Sequence, residues 1–193
     1  MALVLASASA IRRSMLEQAG VDFEALPANL DEAKEKARHS DADAIATALS
    51  EGKALQVSAK RPDDWVVGSD SVVSVDGRLF DKPRNRDQAS EHLRFFAGKE
   101  MRLSSAVALA RAGTVEWRVG DYAMLKVRDL SDAFIEEYLD FEWPEVGYCV
   151  GVFRLEGRGV QLFDSIEGSF FTILGMPLIP LLGALRERGL LPA

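Results

Sequence analysis

The sequence contains only one cysteine, Cys149, and two histidines, His39 and His92, in 193 residues. One cysteine excludes a disulfide within the chain, which is typical of proteins that work in a reducing compartment. Two histidines do not suffice for a multi-histidine metal centre. A metal bound by this protein would therefore have oxygen ligands and would resemble Mg²⁺ or Mn²⁺.

The sequence also lacks a long hydrophobic run. The longest one extends from Ile173 to Leu185, is interrupted by Pro177 and Pro180, and is shorter than the ~20 residues that cross a bilayer. The N-terminal residues have no basic stretch of the kind that opens a signal peptide. We therefore expect a cytoplasmic protein that does not enter the membrane.

Positive charge is in deficit, because 23 lysines and arginines stand against 30 aspartates and glutamates, for a net charge of −7. This balance argues against binding of a nucleic-acid polymer, which needs basic patches. It leaves room for a small anion in a local basic pocket. Hydrophobic residues make up 48% of the chain, and no Pro/Ser-rich linker divides it, so residues 1–193 are expected to form a single domain.

Four common catalytic motifs are missing as well. The sequence has no Walker A motif, no G-x-G-x-x-G after a strand, no G-x-S-x-G and no H-E-x-x-H. These absences argue against P-loop kinases, Rossmann dehydrogenases, serine hydrolases and zinc metalloproteases.

What the sequence does have is centred on V-V-G-S-D-S-V-V at residues 66–73. We interpret it as a strand that ends in a Gly-Ser-Asp-Ser turn. The carboxylate of Asp70 would then stand at a rigid strand end, with room for a ligand beside it. Asp76-Gly77 predicts a two-residue hairpin, and the returning strand would bring Lys82 close to Asp70.

The N-terminal segment has the pattern of an anion site. A short apolar strand at residues 2–6 leads to a turn with Ser7 and Ser9, and a helical pattern follows that contains Arg12 and Arg13. Backbone N–H groups at a helix N-terminus attract phosphate, and guanidinium groups add paired donors. The alternative is an N-capping serine with two solvated arginines.

Two further segments are ambiguous when taken alone. The acidic turn at residues 29–32 includes Glu32 and could be a solvated loop, and residues 34–40 are predicted to form an exposed loop. Residues 41–59 have helical spacing, and Lys53 on this helix would ordinarily lie at the surface. Near the C-terminus, residues 160–163 predict a strand and residues 177–188 a helix.

Five segments in this order resemble a known family signature. Residues 5–13 resemble L-A-S-x-S-P-x-R-R, residues 67–73 resemble G-[AS]-D-x-V-V, and Lys82-Pro83 resembles K-P. The glycine-rich segment that ends at Gly159 and the closing residues 166–178 also match. Together they cover nearly the whole chain and resemble the Maf family of nucleoside triphosphate pyrophosphatases.

The resemblance implies an α/β fold with a long twisted mixed sheet flanked by helices, and two lobes around a central cleft, as in the inosine-triphosphate pyrophosphatases. It implies hydrolysis of a nucleoside triphosphate between the α and β phosphates, giving the monophosphate and pyrophosphate, with a divalent cation such as Mg²⁺ or Mn²⁺. It also implies a homodimer, and a house-cleaning role linked to cell-division arrest.

The resemblance assigns roles to individual residues. Asp70 would accept a proton from water or help to hold the metal, Glu32 would bind the metal, and Lys82 would reach the transferring group. One expected carboxylate is missing, because Gly52 replaces the glutamate that usually precedes the helix lysine, and Ala10 replaces a proline. The residues expected to bind phosphate are Ser7, Ser9, Arg12, Arg13 and Lys53.

Base specificity is expected to depend on four positions, namely Ile11, Ser71, Arg154 and Glu156. Glu156 resembles the family members that prefer 7-methyl-GTP, because a carboxylate can accept two hydrogen bonds from the guanine edge. Ile11 lacks the aromatic ring of those members. The prediction is a purine-leaning substrate, with 7-methyl-GTP as a candidate.

Two other functions stay open at this level. One is a nucleotide-binding regulator of cell division without turnover, which the replacement at Gly52 favours. The other is a phosphatase of a different kind, which would release orthophosphate instead of pyrophosphate.

Overall fold

The computed structural model describes residues 2–192 and has a mixed α/β fold. Seven strands form one sheet in the order β2-β1-β3-β5-β6-β7, and β4 pairs with β3. Strand β1 is parallel to β2 and β3, whereas β4 is antiparallel to β3, and β7 to β6. The predicted mixed sheet is therefore confirmed. The strands are β1 (Leu3–Leu5), β2 (Glu24–Ala25), β3 (Trp65–Val75), β4 (Arg78–Phe80), β5 (Glu100–Arg111), β6 (Thr114–Val127) and β7 (Phe163–Glu167).

Helices flank this sheet, as predicted. Most begin with a side-chain cap, such as Asp41 before α3 and Ser131 before α5, which accept hydrogen bonds from backbone N–H groups of the first turn. No helix within residues 2–192 is long and apolar enough to cross a membrane. The helices are α1 (Ala10–Gln18), α2 (Glu32–Lys36), α3 (Ala42–Ser58), α4 (Arg86–Phe96), α5 (Asp132–Glu142), α6 (Phe170–Ile173) and α7 (Leu178–Glu187), with 3₁₀ turns at Glu145–Tyr148 and Arg158–Leu162.

The chain forms two compact units, the number of lobes that the resemblance implies. The first contains the residues up to Ser71, Ser104–Tyr122 and those from Ser169 onward. Its core is a cluster of buried apolar side chains from β1, α1, β3, β5 and α7, among them Leu5 and Leu181. This core holds the start of β1 and β3 in place, and both strands lead into the residues discussed below.

The second unit contains Val72–Leu103 and Ala123–Gly168. The predicted hairpin is confirmed there: Asp76 and Gly77 have φ of 51° and 73°, and Val73 pairs with Phe80. Positive φ at both central residues is the geometry of a type I′ turn. That the chain is a single domain stays a prediction.

Three local predictions are wrong. Strand β3 continues through residues 68–71, where a turn was predicted, so Asp70 lies within a strand and not at its end. The predicted loop at 34–40 begins inside a short helix, α2, which is capped by Asp31. Residues 160–163 were predicted to be a strand, but a 3₁₀ turn occupies most of that range and β7 begins at Phe163.

Candidate active site

Asp70 is a buried carboxylate in the middle of β3, with 8% of its surface exposed. Its Oδ2 atom accepts a hydrogen bond from Lys53 Nζ at 2.5 Å, and its Oδ1 atom accepts one from the Ser71 backbone N–H at 2.7 Å. Arg12 Nη2 lies 3.9 Å from Oδ1. Two cations and one backbone N–H therefore surround this carboxylate.

Lys53 reaches Asp70 because helix α3 packs directly on the backbone of β3 at Gly68. A Cβ atom on Gly68 would lie 2.1 Å from the Ser50 carbonyl oxygen and 2.6 Å from the Ala54 nitrogen, which no side chain could tolerate. Gly68 suggested a turn in the sequence, but a glycine is needed at this position for a different physical reason. It lets the helix approach the strand.

Lys53 also contacts Glu32 at the start of α2, with 2.7 Å between Nζ and Oε1. A positive charge therefore lies between two carboxylates, one buried and one about half exposed. The structure brings together three of the predicted site residues in this way. Lys53 was expected at the surface from its helix alone, and it is mostly buried instead.

Arg12 lies in the first turn of α1 and is turned toward β3. Its Nε donates to the Gly175 carbonyl oxygen at 2.9 Å, and its Nη2 donates to Ser71 Oγ at 3.1 Å. Only about a tenth of the side chain is exposed. Burial lowers the pKa of Arg12, and the negative charges of Asp70 and Glu32 oppose that shift; an arginine remains cationic in any case.

Opposing influences act on Asp70. Burial alone would raise its pKa, because a charged carboxylate is poorly solvated inside a protein. The charges of Arg12 and Lys53, with the hydrogen bonds from Lys53 and Ser71, outweigh burial and leave the pKa below its usual value. Asp70 is therefore an anion at neutral pH.

The serine turn before α1 lies next to Arg12 in sequence. Ser9 is the N-cap of α1, and its hydroxyl accepts from the Arg12 backbone N–H at 3.5 Å. The hydroxyl of Ser7, which is buried, accepts from the Ser9 N–H. Arg13 is exposed and forms no ion pair within residues 2–192. The turn has the capping geometry of the alternative interpretation, and its phosphate role stays a prediction.

The remaining predicted residues differ in their surroundings. Arg154, in the second unit, donates from Nε and Nη2 to Glu142 Oε2 at 3.2 and 3.0 Å, and Glu142 is buried. Lys82 and Glu156 belong to the same unit and are exposed, whereas Ile11 is half-buried on α1. The roles assigned to these four residues stay predictions.

Comparison with known proteins gives this arrangement a family. The family model described as Maf-like protein matches residues 2–188. This chain belongs to the Maf family. A 7-methyl-GTP pyrophosphatase from Rhizobium etli is 44% identical over 97% of this Maf chain and 96% of its own length. A nucleoside triphosphate pyrophosphatase from Sphingopyxis alaskensis is 43% identical over the full length of both.

A solved structure is similar to this Maf chain only loosely. The Ham1 protein of Staphylococcus aureus superimposes with a TM-score of 0.48 at 15% identity, over 97% of this chain and 98% of that one. A superposition at this level says nothing about activity.

The carboxylate oxygen atoms at this site are of the type that binds a divalent cation. Asp70 and Glu32 both point oxygen atoms at a cationic group, the Lys53 ammonium, and Mg²⁺ commonly takes one or two carboxylates and completes its shell with water and phosphate. Within residues 2–192 no group of three or more acidic, histidine or cysteine side chains forms a metal site. At Gly52, where the family resemblance implies a glutamate, a Cβ would lie 3.0 Å from Leu30 Cδ2, so a larger side chain there would require that leucine to move.

Three residues of the site were missed at the sequence level. Ser69 and Ser105 are buried hydroxyls beside Ser71, and Gly175 supplies the carbonyl that binds Arg12. The G-M-P segment at 175–177 was noted for its resemblance, which was the available signal for Gly175. Ser69 lies within the G-[AS]-D-x-V-V match but was given no role there, and Ser105 had no signal, because a buried serine in a strand has no distinctive spacing.

Proposed function

We propose that this Maf protein is a nucleoside triphosphate pyrophosphatase, which hydrolyses the bond between the α and β phosphates and releases the monophosphate and pyrophosphate. One observation supports this most: an ionised, buried Asp70 lies beside Arg12 and Lys53. Phosphoryl transfer needs positive groups to neutralise developing charge, with an anionic group to orient water. The printed names of the relatives agree with this activity.

Arg12 is the residue best arranged to bind phosphate. A guanidinium has five N–H donors; Gly175 and Ser71 engage two of them, so three remain for a ligand. The free N–H groups at the start of α1, with Ser7, Ser9 and Arg13 nearby in sequence, would extend the anion site.

Asp70 would hold and orient the attacking water. Its lowered pKa makes it a weak base, since proton transfer is most efficient when the pKa of the base is near the working pH. It follows that its main contribution is negative charge and a hydrogen-bond acceptor at a fixed position. Lys53 would shift its contacts from Asp70 and Glu32 toward a bound phosphate.

Asp70 and Glu32 are the residues that would hold a divalent cation, of the Mg²⁺ or Mn²⁺ type. When bound, such a cation supplies Lewis-acid stabilisation of phosphate oxygens. Gly52 offers no third carboxylate, so the substrate phosphates and water would complete the shell.

For the base we propose a purine, with 7-methyl-GTP as a candidate. Glu156 is an exposed carboxylate able to accept two hydrogen bonds from a guanine edge. Lys82 would reach the transferring phosphate. Ile11, Ser71 and Arg154 are the other proposed specificity positions. We further propose a cytoplasmic homodimer of single-domain chains that does not bind nucleic-acid polymers.

The decisive experiment is a substrate screen with product identification. Purified protein with Mg²⁺ is incubated with 7-methyl-GTP, GTP, dTTP and UTP, and the phosphate products are resolved. We expect pyrophosphate and the monophosphate, fastest from 7-methyl-GTP or GTP. Asp70→Asn is expected to reduce the rate by about 10³-fold, while Asp64→Asn, which alters a carboxylate paired with Arg61, is expected to leave it unchanged.

Other outcomes would point elsewhere. Orthophosphate as the product would indicate a different phosphatase. Tight nucleotide binding without turnover of any substrate would favour the regulator of cell division. A clear preference for dTTP or UTP would contradict the proposed purine specificity alone.

A further inference from the structure

The backbone carbonyl of Gly175 is an unusual acceptor, because three side-chain donors lie within hydrogen-bond distance of it. Arg12 Nε lies at 2.9 Å, Ser69 Oγ at 3.0 Å and Ser71 Oγ at 3.1 Å. A carbonyl oxygen has two lone pairs, so Arg12 and one hydroxyl engage it fully. The Ser69 hydroxyl has a single proton and also has the Ala106 carbonyl oxygen at 2.8 Å. Two of its donors come from adjacent positions on one face of β3, and the third is the guanidinium discussed above.

The local backbone explains how this carbonyl comes to face β3. Gly175 ends the short helix α6: its N–H donates to the Thr172 carbonyl, and the Met176 N–H donates to the Phe171 carbonyl. Its φ is +109°, a conformation that side chains disfavour. Glycine therefore permits the sharp turn that directs the carbonyl at Arg12.

Space around Gly175 is restricted as well. A Cβ atom there would lie 3.1 Å from Ser71 Oγ and 3.4 Å from Arg12 Nη2. Both distances are tight for carbon against a polar atom, and both neighbours are the groups that the carbonyl holds. A side chain at this position would therefore press on Ser71 Oγ and contact the guanidinium that Ser71 and the carbonyl hold.

A second line of contacts supports the other end of the guanidinium. Ser71 Oγ, which accepts from Arg12 Nη2, lies 2.8 Å from Ser105 Oγ. Ser105 Oγ donates to the Thr172 carbonyl at 2.8 Å, within the same α6 turn that ends at Gly175. The α6 turn thus fixes Arg12 through both of its hydrogen-bonded nitrogens.

We propose that Gly175, Ser69 and Ser105 are positioning residues for Arg12, which they hold in the orientation that binds a polyphosphate. This inference rests on the proposed function only in that Arg12 contacts phosphate. Neutral acceptors orient the guanidinium without cancelling its charge. A group fixed before the ligand arrives loses less conformational freedom on binding.

The test is a double-mutant cycle with inorganic tripolyphosphate as the probe and its Kd measured by calorimetry. We expect Gly175→Ala to raise the Kd about tenfold, and Arg12→Lys to raise it at least as much, because lysine lacks the fork that binds two acceptors. In the Arg12→Lys background, Gly175→Ala should change the Kd by less than about twofold, since residues acting through one group are not additive.

Gly189→Ala is the matched control, because Gly189 also has positive φ, +68°, but has nothing within 4 Å of an added Cβ. If Gly175→Ala behaves like Gly189→Ala, or if its effect multiplies with that of Arg12→Lys, the proposal is wrong. Ser105→Ala, which removes a hydroxyl and adds no bulk, provides the same cycle should Gly175→Ala fail to fold.

Binding of tripolyphosphate does not depend on turnover, so the two proposals can fail separately. A non-additive cycle in a protein that releases no pyrophosphate would overturn the proposed function and leave the positioning role intact. An additive cycle in an active enzyme would do the reverse.

Discussion

Arg12 and Arg154 are each held by two hydrogen bonds, but their acceptors differ in charge. Arg12 donates to a carbonyl and a hydroxyl, both neutral, and the nearest Asp70 oxygen is 3.9 Å from its Nη2. Arg154 donates twice to one oxygen of the buried Glu142 carboxylate. The first arrangement fixes a guanidinium that has no carboxylate in hydrogen-bond contact, although Asp70 compensates part of its charge from 3.9 Å. The second places a carboxylate directly on the guanidinium.

We infer from this difference a phosphate-binding role for Arg12 and a role for Arg154 that is at least partly structural. A phosphate gains most from a cation that has no carboxylate hydrogen-bonded to it and whose geometry is set beforehand. Arg154 instead keeps a buried carboxylate paired, which proteins need wherever such a charge is removed from water. The charge of the acceptor, more than the burial of the side chain, indicates which arginine is available to bind a phosphate.

The largest effect is expected from truncating each arginine in turn. Arg12→Ala should lower kcat/KM about 10²-fold, because it removes a fixed donor to the transferring phosphates. Arg154→Ala should lower the free energy of unfolding by about 2 kcal/mol, because the buried Glu142 would lose its cationic partner and keep only the Arg158 backbone N–H. Steady-state kinetics and urea denaturation of both variants measure these two quantities.

The comparison would fail if the effects were exchanged. A large loss of activity in Arg154→Ala with unchanged stability would mean that Arg154 contacts the nucleotide, as predicted from the family resemblance. In that case Arg154→Ala/Glu142→Gln would be as inactive as the single variant.

A comparable effect on stability, with a smaller one that depends on Mg²⁺, is expected at Lys53, the cation between two carboxylates. Lys53→Met should lower the free energy of unfolding by about 2 kcal/mol, because Asp70 loses one of its two cations. Without the lysine, the carboxylates of Asp70 and Glu32 repel each other, and a bound divalent cation would relieve that repulsion. Mg²⁺ should therefore raise the Tm of this variant more than that of the unaltered protein. Thermal melts with Mg²⁺ and with EDTA measure the difference.

Lys60→Met is the control, because Lys60 lies just after α3 and its side chain is exposed. Equal Mg²⁺-induced shifts in Lys53→Met, in Lys60→Met and in the unaltered protein would show that Lys53 and the cation do not share ligands.

The smallest effect concerns His92, a buried ionisable group without a partner for its Nδ1 atom. It packs edge-on against Phe80 at 5.1 Å, and burial lowers its pKa, with Arg78 adding to the shift and Glu91 and Asp81 opposing it. Because the unfolded chain then binds the proton more readily, stability is complete above about pH 6.5 and declines as the pH falls below it.

Urea denaturation at pH 7.5 and 5.5 tests this expectation. The unaltered protein should be less stable at pH 5.5 than at pH 7.5, and the loss should be smaller in His92→Phe. His39→Gln removes the other, exposed histidine and should keep the full dependence. If the stability of His92→Phe fell between the two pH values by as much as that of the unaltered protein, His92 would have to be solvated or paired in the folded state.

Much of the fold could be predicted from local pattern. The hairpin at Asp76-Gly77 and the helix at 41–59 follow from turn chemistry and apolar spacing, which act over a few residues. The break expected at Gly68 was wrong because a glycine has two meanings in a strand. It can end the strand or admit a neighbouring backbone, and only the tertiary structure distinguishes them.

The site was predictable in its parts but not in its contacts. Asp70 and Arg12 were found through the resemblance, and their types suit phosphate chemistry. That Lys53 lies between Asp70 and Glu32 could not be predicted, because it depends on how closely α3 packs on β3. The same holds for the Gly175 carbonyl, which reaches Arg12 from 163 residues away.

The contact at Gly68 has a consequence for how this protein can change over time. Where two elements are spaced by side chains, a substitution on either one lets them drift, and compensating changes can restore the spacing later. Here a helix and a strand meet backbone to backbone, so no side chain sets the distance. Substitutions on the outer surface of α3 should therefore leave the separation of the Lys53 and Asp70 backbones unchanged, whereas any side chain at Gly68 would push the helix away from the strand.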